Sequence, residues 1–130
     1  MKLYAVVMIG GAIGSALRFG LSGWISEALQ STFPWGTLAV NVIGSLLIGF
    51  FTGVTGPDGP VFVSPVTRAF VSIGIFGGFT TFSSFSLQTI MLMQDGQWLS
   101  AFGNVAYSVL LCLLGTALGF ALANALPGRI

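Results

Sequence analysis

This sequence predicts an all-α integral membrane protein with four transmembrane helices, on three observations. Of its 130 residues, 55% are hydrophobic and 5% are charged, against roughly 25% charged in a soluble domain. The few charges (Lys2, Arg18, Glu27, Asp58, Arg68, Asp95 and Arg129) leave uncharged runs at 28–57, 69–94 and 96–128. Each run exceeds the ~20 residues that cross a bilayer core as helix. None shows the period-two alternation of a membrane strand, and hydrocarbon offers no water to an unpaired backbone, so helices are the remaining solution.

The chain reads as a single four-helix membrane domain over 1–130, with helices predicted at about 3–26, 36–54, 65–94 and 98–126. Lys2 ahead of an apolar run resembles the start of a signal peptide. No small-x-small cleavage site leads into a soluble domain, so residues 1–26 are read as the first span. Pro34 and Trp35 close the first loop, with Trp35 as an interfacial anchor. The stretch TGPDGP at 55–60 is a turn with Asp58 at its tip, and Pro65 opens the third helix, where a missing N–H costs nothing. Asp95-Gly96 interrupts the chain again before Trp98, a second interfacial anchor.

Four crossings put both termini and the 55–65 loop on one side with Lys2, Arg68 and Arg129, and leave Arg18 at some depth from the other. So feeble a positive-inside bias permits insertion in either orientation. Small residues recur four apart in Gly10-xxx-Gly14, Gly74-xxx-Gly78, Gly115-xxx-Gly119 and Ser45-xxx-Gly49-xxx-Gly53. That spacing lets helix backbones approach closely in a membrane.

The third helix carries GGFTTFSSFS at 77–86. A Gly-Gly pair followed by Thr80, Thr81, Ser83 and Ser84 weakens the helix and offers its backbone other partners, which predicts an unwound or kinked turn near 77–81. Inside a membrane such a break survives only where it is buried or lines a wet cavity, and its freed carbonyls suit a small cation. Phe82 and Phe85, three apart, share a helix face. The positive edge of a phenyl ring can meet an anion without any formal charge.

On the fourth helix Asn104, Ser108, Cys112 and Thr116 recur every four residues, a polar stripe on an apolar helix. Taken singly, each is an interhelical hydrogen bond worth about 0.6 kcal/mol; in line, they suit a path for a small anion that accepts hydrogen bonds. Asn41 places an amide at mid-membrane, either as a donor to an anion or as a cap for a neighbouring helix. Arg18, the one charge well inside a predicted span, either sits in a wet vestibule or snorkels to the interface.

Several classes are excluded. With no His and with Cys112 alone, neither an internal disulfide nor the usual Cys/His zinc site can form. No nucleophile-base pair, carboxylate pair or phosphate loop is present, so the chain is not read as an enzyme. A net charge of +1 gives no basic patch for nucleic acid. A small multidrug exporter would need a membrane-embedded acid in its first helix, and none lies between Lys2 and Glu27. A non-transporting assembly subunit would need only the glycines and leaves the Phe and hydroxyl arrays unexplained.

The motifs GAIGSALR at 11–18, FPWGTLAVNVIGS at 33–45 and GGFTTFSSFS at 77–86, with the small-residue-rich fourth helix, resemble the Fluc family of bacterial fluoride channels, also called CrcB-like proteins, over essentially the whole chain. The resemblance implies an antiparallel, dual-topology homodimer in the bacterial cytoplasmic membrane, with two pores that pass fluoride outward and relieve its toxicity. It implies that Phe82 and Phe85 line the pores with their ring edges, that Asn41 contributes a pore amide, and that the backbone carbonyls of Gly77 and Thr80 hold a structural sodium ion at the dimer centre. Ser83 and Ser84 fall among the neighbouring hydroxyls, Ser108 and Thr116 along a polar track, and Arg18 at the aqueous vestibule. Two departures stand out: Cys112 occupies a position where the family commonly has a hydroxyl, and Gln88 one where a glutamate is expected.

Overall fold

The computed structural model describes residues 1–127; Arg129, counted above in the charge bias, lies outside them. Within the described residues the chain is helical throughout, as α1 (Lys2–Leu29), α2 (Trp35–Val54), a third span from Pro65 to Gln94, and α6 (Trp98–Asn124). The third span is composite: α3 (Pro65–Arg68), a π-helical segment (Ala69–Phe76), α4 (Gly77–Phe79) and, after a break, α5 (Phe82–Gln94). All four spans are long and apolar enough to cross a membrane. Much of their apolar surface faces outward, including Tyr4, Met8, Phe19, Leu99 and Leu113, the opposite of what water would select.

The loops follow local rules. Ser64 caps α3 by accepting the Thr67 N–H at 3.1 Å, and Pro65 occupies the first helical position, where no donor is lost. At the end of α5, Gly96 adopts φ 74°. Its N–H reaches the Met93 carbonyl at 3.0 Å while Gln97 N–H reaches Leu92 at 2.8 Å, the paired closure that calls for a left-handed residue, usually glycine. Thr32 Oγ1 donates to Gln97 Oε1 at 2.9 Å, placing the first and third connections at one end of the bundle. At the other end the Arg68 guanidinium donates to the Thr55 carbonyl and ties the start of α3 to the end of α2. Trp35 and Trp98 are both exposed, as interfacial anchors should be.

Two glycine seams hold the bundle. Along α1 and the third span, Gly10 faces Gly74: a Cβ on Gly10 would lie 2.9 Å from the Gly74 Cα, and one on Gly78 would lie 2.5 Å from the Gly11 carbonyl oxygen. Along α2 and α6, a Cβ on Gly119 would fall 2.6 Å from the Phe50 nitrogen, and one on Gly49 would collide with the Thr116 carbonyl. The four-residue spacings therefore do what the sequence suggested, bringing backbone against backbone.

The break falls inside the predicted 77–81, at its hydroxyl end and not at the glycine pair. Gly77 stays helical at φ −64°, ψ −35°, and Gly78 lies in α4 against Gly11; the chain leaves the helix at Thr80 (φ −87°, ψ 158°) and Thr81 (φ −151°, ψ 116°). The glycine pair serves close approach. The hydroxyl residues, which compete for backbone partners, are the ones that unwind.

A side chain added to the α1 seam should be costly. Gly14→Leu would drive a Cβ into the Ile75 carbonyl, and backbone cannot yield as a side chain can, so a loss of about 3 kcal/mol is expected. Gly23→Ala meets open space and should not lower stability. Thermal unfolding in detergent separates the two.

Candidate functional site

At the break, one side chain replaces a turn of helix. Asn41, buried on α2, accepts the Thr81 N–H on Oδ1 at 2.7 Å and donates Nδ2 to the Thr81 carbonyl at 2.9 Å. Both backbone groups of the extended residue are thereby satisfied where water is absent. In an unbroken helix the Thr81 N–H would go to Gly77, so its diversion to Asn41 leaves the Gly77 carbonyl without its helical donor. The same happens one turn on. Ser84 N–H, the helical donor for Thr80, goes instead to Thr81 Oγ1 at 3.2 Å. This caps α5 and leaves the Thr80 carbonyl free of that donor.

Gly44 makes room for this arrangement. A Cβ there would strike Thr80 Cγ2 and lie 3.2 Å from the Phe79 ring.

Beside the break lies a groove of about 440 Å3 between α2, the third span and α6. Asn41 and Ser45 line it from α2, Ser72 and Phe76 from the π segment, Gly77, Thr80 and Thr81 from the break, Phe82 and Phe85 from α5, and Ser108 and Cys112 from α6. The Phe82 and Phe85 rings touch at a centroid distance of 5.2 Å and a tilt of 55°. Phe85 is buried at 8% exposure, whereas Phe82 is 76% exposed at the rim. Among the described residues no carboxylate, lysine or arginine lines the groove, so an anion held there would meet ring edges, hydroxyls and an amide, not a counter-charge.

A second polar chain braces α5 against α6. Asn104, 1% exposed, donates to Thr89 Oγ1 at 2.9 Å, Thr89 Oγ1 donates to the Phe85 carbonyl at 2.8 Å, and Ser108 Oγ reaches Asn104 Oδ1 at 3.4 Å. The predicted stripe on the fourth helix thus divides by task. Asn104 turns to α5, Ser108 and Cys112 reach the groove, and Thr116 sits half-buried at the α2 seam, where its carbonyl meets Gly49.

Of the residues nominated from sequence, the groove gathers Asn41, Gly77, Thr80, Phe82, Phe85, Ser108 and Cys112. Ser83, Ser84, Thr116 and Arg18 are not among its lining. Ser84 and Ser83 cluster around the Thr81 hydroxyl, at 3.1 and 3.3 Å, where they belong to the cap of α5. Arg18 is half-buried on α1, its carbonyl accepting the Ser22 hydroxyl at 2.6 Å.

Sequence reasoning passed over two groove residues, Ser45 and Ser72. Ser45 falls four residues after Asn41, a spacing that places it on the same face, yet it also fits a small-residue packing pattern and was read that way. Ser72 has no periodic partner to mark it. The departure at Gln88 leaves a trace as well: its Oε1 is buried without a hydrogen-bond partner among the described residues.

The chain matches the family described as CrcB-like protein, camphor resistance (CrcB), over residues 5–120. It is 52% identical over 131 residues to a protein of Opitutus terrae named fluoride-specific ion channel FluC, an alignment covering 98% of this chain and 99% of the relative. It is 56% identical over 124 residues to a protein of the same name from Paramagnetospirillum magneticum, covering 95% and 97%, and 54% identical over 116 residues to another from Rhodospirillum rubrum, covering 89% and 90%.

Replacing Asn41 by Leu removes both partners of Thr81 and leaves two buried backbone groups unpaired, at about 1–3 kcal/mol each. Asn41→Leu should therefore lower the unfolding midpoint in detergent more than Ser45→Ala on the same helix face. Equal midpoints would mean that Thr81 finds other partners.

Proposed function

The chain belongs to the CrcB-like family, and from that membership we propose that it is a passive fluoride channel of the bacterial cytoplasmic (inner) membrane, exporting fluoride and so relieving its toxicity. The observation that carries this reading is the groove itself, an apolar cleft at membrane depth into which phenyl edges, an amide and hydroxyls converge with no fixed charge among the described residues. Fluoride is small and accepts strong hydrogen bonds, so charge-assisted bonds from neutral donors can replace its hydration, while ring edges contribute through the aromatic quadrupole. With no carboxylate in the lining, nothing there carries a proton in exchange, which favours passive flow.

In this account Phe82, Phe85, Asn41, Ser108 and Cys112 form the path. Ser83, Ser84 and Thr116 support it from the capping cluster and the α2 seam, and Arg18 attracts anions at the vestibule. The working unit is an antiparallel, dual-topology homodimer with two pores. The exposed Phe82 ring at the rim and the weak charge bias of the sequence support that assembly, since a second copy would cover the ring.

The break fits a sodium ion at the dimer centre. Gly77 and Thr80 each present a carbonyl deprived of its helical donor, and hard oxygen donors are what such an ion takes. A bound sodium supplies positive charge beside the path. Asn41 and the Thr81 cap are the parts of this chain that divert the helical donors of the two carbonyls.

The test is fluoride efflux from liposomes holding the purified protein, read with a fluoride electrode and a potassium ionophore beside a chloride control. Rapid fluoride release without chloride release is expected, depressed when sodium is replaced by a large organic cation. Phe82→Ile and Phe85→Ile should slow it roughly tenfold, the effect of about 1.4 kcal/mol on a barrier. No release from a folded dimer would overturn the channel reading, and full flux in both Phe variants would remove the ring edges from it.

A further inference from the structure

Most of the hydrogen-bond donors around the groove are already committed within the chain. Asn41 gives its carbonyl oxygen and one N–H to Thr81. The Thr80 hydroxyl donates to the Phe76 carbonyl at 2.9 Å, Thr81 Oγ1 is tied to Ser84, and Ser108 leans on Asn104. Two hydroxyls remain. Ser45 and Ser72 both line the groove and are both half-buried, and neither side chain forms a hydrogen bond among the described residues.

Like Thr37, Thr52 and Thr116, which lie outside the groove lining, Ser45 and Ser72 do not take the ordinary recourse of a helix hydroxyl, the carbonyl four residues back. Ser22, Thr55, Thr80 and Thr89 all take it, bonding to Arg18, Phe51, Phe76 and Phe85. At Ser72 the π-helical segment gives a reason for the difference. Its carbonyls are set for bonds five residues apart, so the oxygen that an α-helix would offer the side chain is displaced. A hydroxyl left unpaired at membrane depth is disfavoured unless something in the groove uses it.

We propose that Ser45 and Ser72 are direct anion donors of the groove, giving their O–H groups to the permeating fluoride from two elements, α2 and the π segment. The proposal rests on the fluoride-channel reading and adds to it two contact residues that the sequence did not mark as anion donors. Ser45 stands one turn from Asn41, whose second N–H is also uncommitted, so α2 supplies two adjacent donors. Ser72 supplies a further one from the π segment. A hydrogen bond from a neutral hydroxyl to a full negative charge is about twice as strong as one between neutral groups, so loss of either should be felt in the flux.

The experiment compares initial fluoride efflux from liposomes carrying equal amounts of wild type, Ser45→Ala, Ser72→Ala and the corresponding Thr variants, each first checked for a single species by gel filtration. Each Ala variant should slow efflux roughly tenfold, and each Thr variant, which keeps the hydroxyl, should recover most of the rate. If an Ala variant does not purify as one species, Ser→Cys takes its place with the same expected fall, since it keeps the volume and weakens the donor. Wild-type rates in both Ala variants would overturn this inference and leave the channel reading standing. Equal losses in Ala and Thr would also overturn it, by showing that shape, not the hydroxyl, matters. Absence of flux from the wild type would remove the channel reading and this inference with it.

Discussion

A backbone that leaves the helix inside a bilayer must find a partner for each N–H and C=O it releases, because hydrocarbon supplies none. In this chain Asn41 meets that constraint with a single amide, which takes the Thr81 N–H at 2.7 Å and gives to the Thr81 carbonyl at 2.9 Å. That pair of bonds is what the break in the third span depends on. It lets Thr80 and Thr81 run extended, starts α5 afresh with Thr81 as its cap, and withholds the helical donor from Gly77.

The glycine seams are the other half of the same arrangement. Helices that exclude no water on association must gain from contact and hydrogen bonding, and the approach of Gly10 to Gly74 and of Gly119 to the α2 backbone supplies the contact. Close seams on two sides also leave a third side loosely filled. The groove opens there, beside the break, bounded by α5 and by the Asn104–Thr89 brace that fixes α5 to α6. Rigid backbone at the seams and polar fastening at the break together hold the phenyl rings and hydroxyls of the proposed path in place.

How much of this could be read from the sequence differed by physical cause. The spans were legible because charge is nearly forbidden in hydrocarbon, so the gaps between Glu27, Asp58, Arg68 and Asp95 mark them directly. The seams were legible because a spacing of four repeats one helix face. The break was only half legible. Gly77-Gly78 and the hydroxyl run both signal weakness, and only the packing of Gly78 on Gly11 shows that the glycines are spoken for by contact. Ser72 was not legible at all, and of the Asn104–Thr89 link only the interhelical bond from Asn104 was foreseen, not its partner. Where a side chain points across a helix interface depends on the rotation of each helix and on the π segment, neither of which a single sequence displays.

The central claim is that Asn41, not a continuous helix, satisfies Thr81. The most direct test is solid-state NMR of the isotopically labelled protein in lipid, detecting the hydrogen-bond partner of the Thr81 amide. A correlation between the Thr81 nitrogen and the Asn41 side-chain carbonyl carbon is the predicted result. A correlation with the Gly77 backbone carbonyl instead would mean that the third helix is unbroken and would contradict the account.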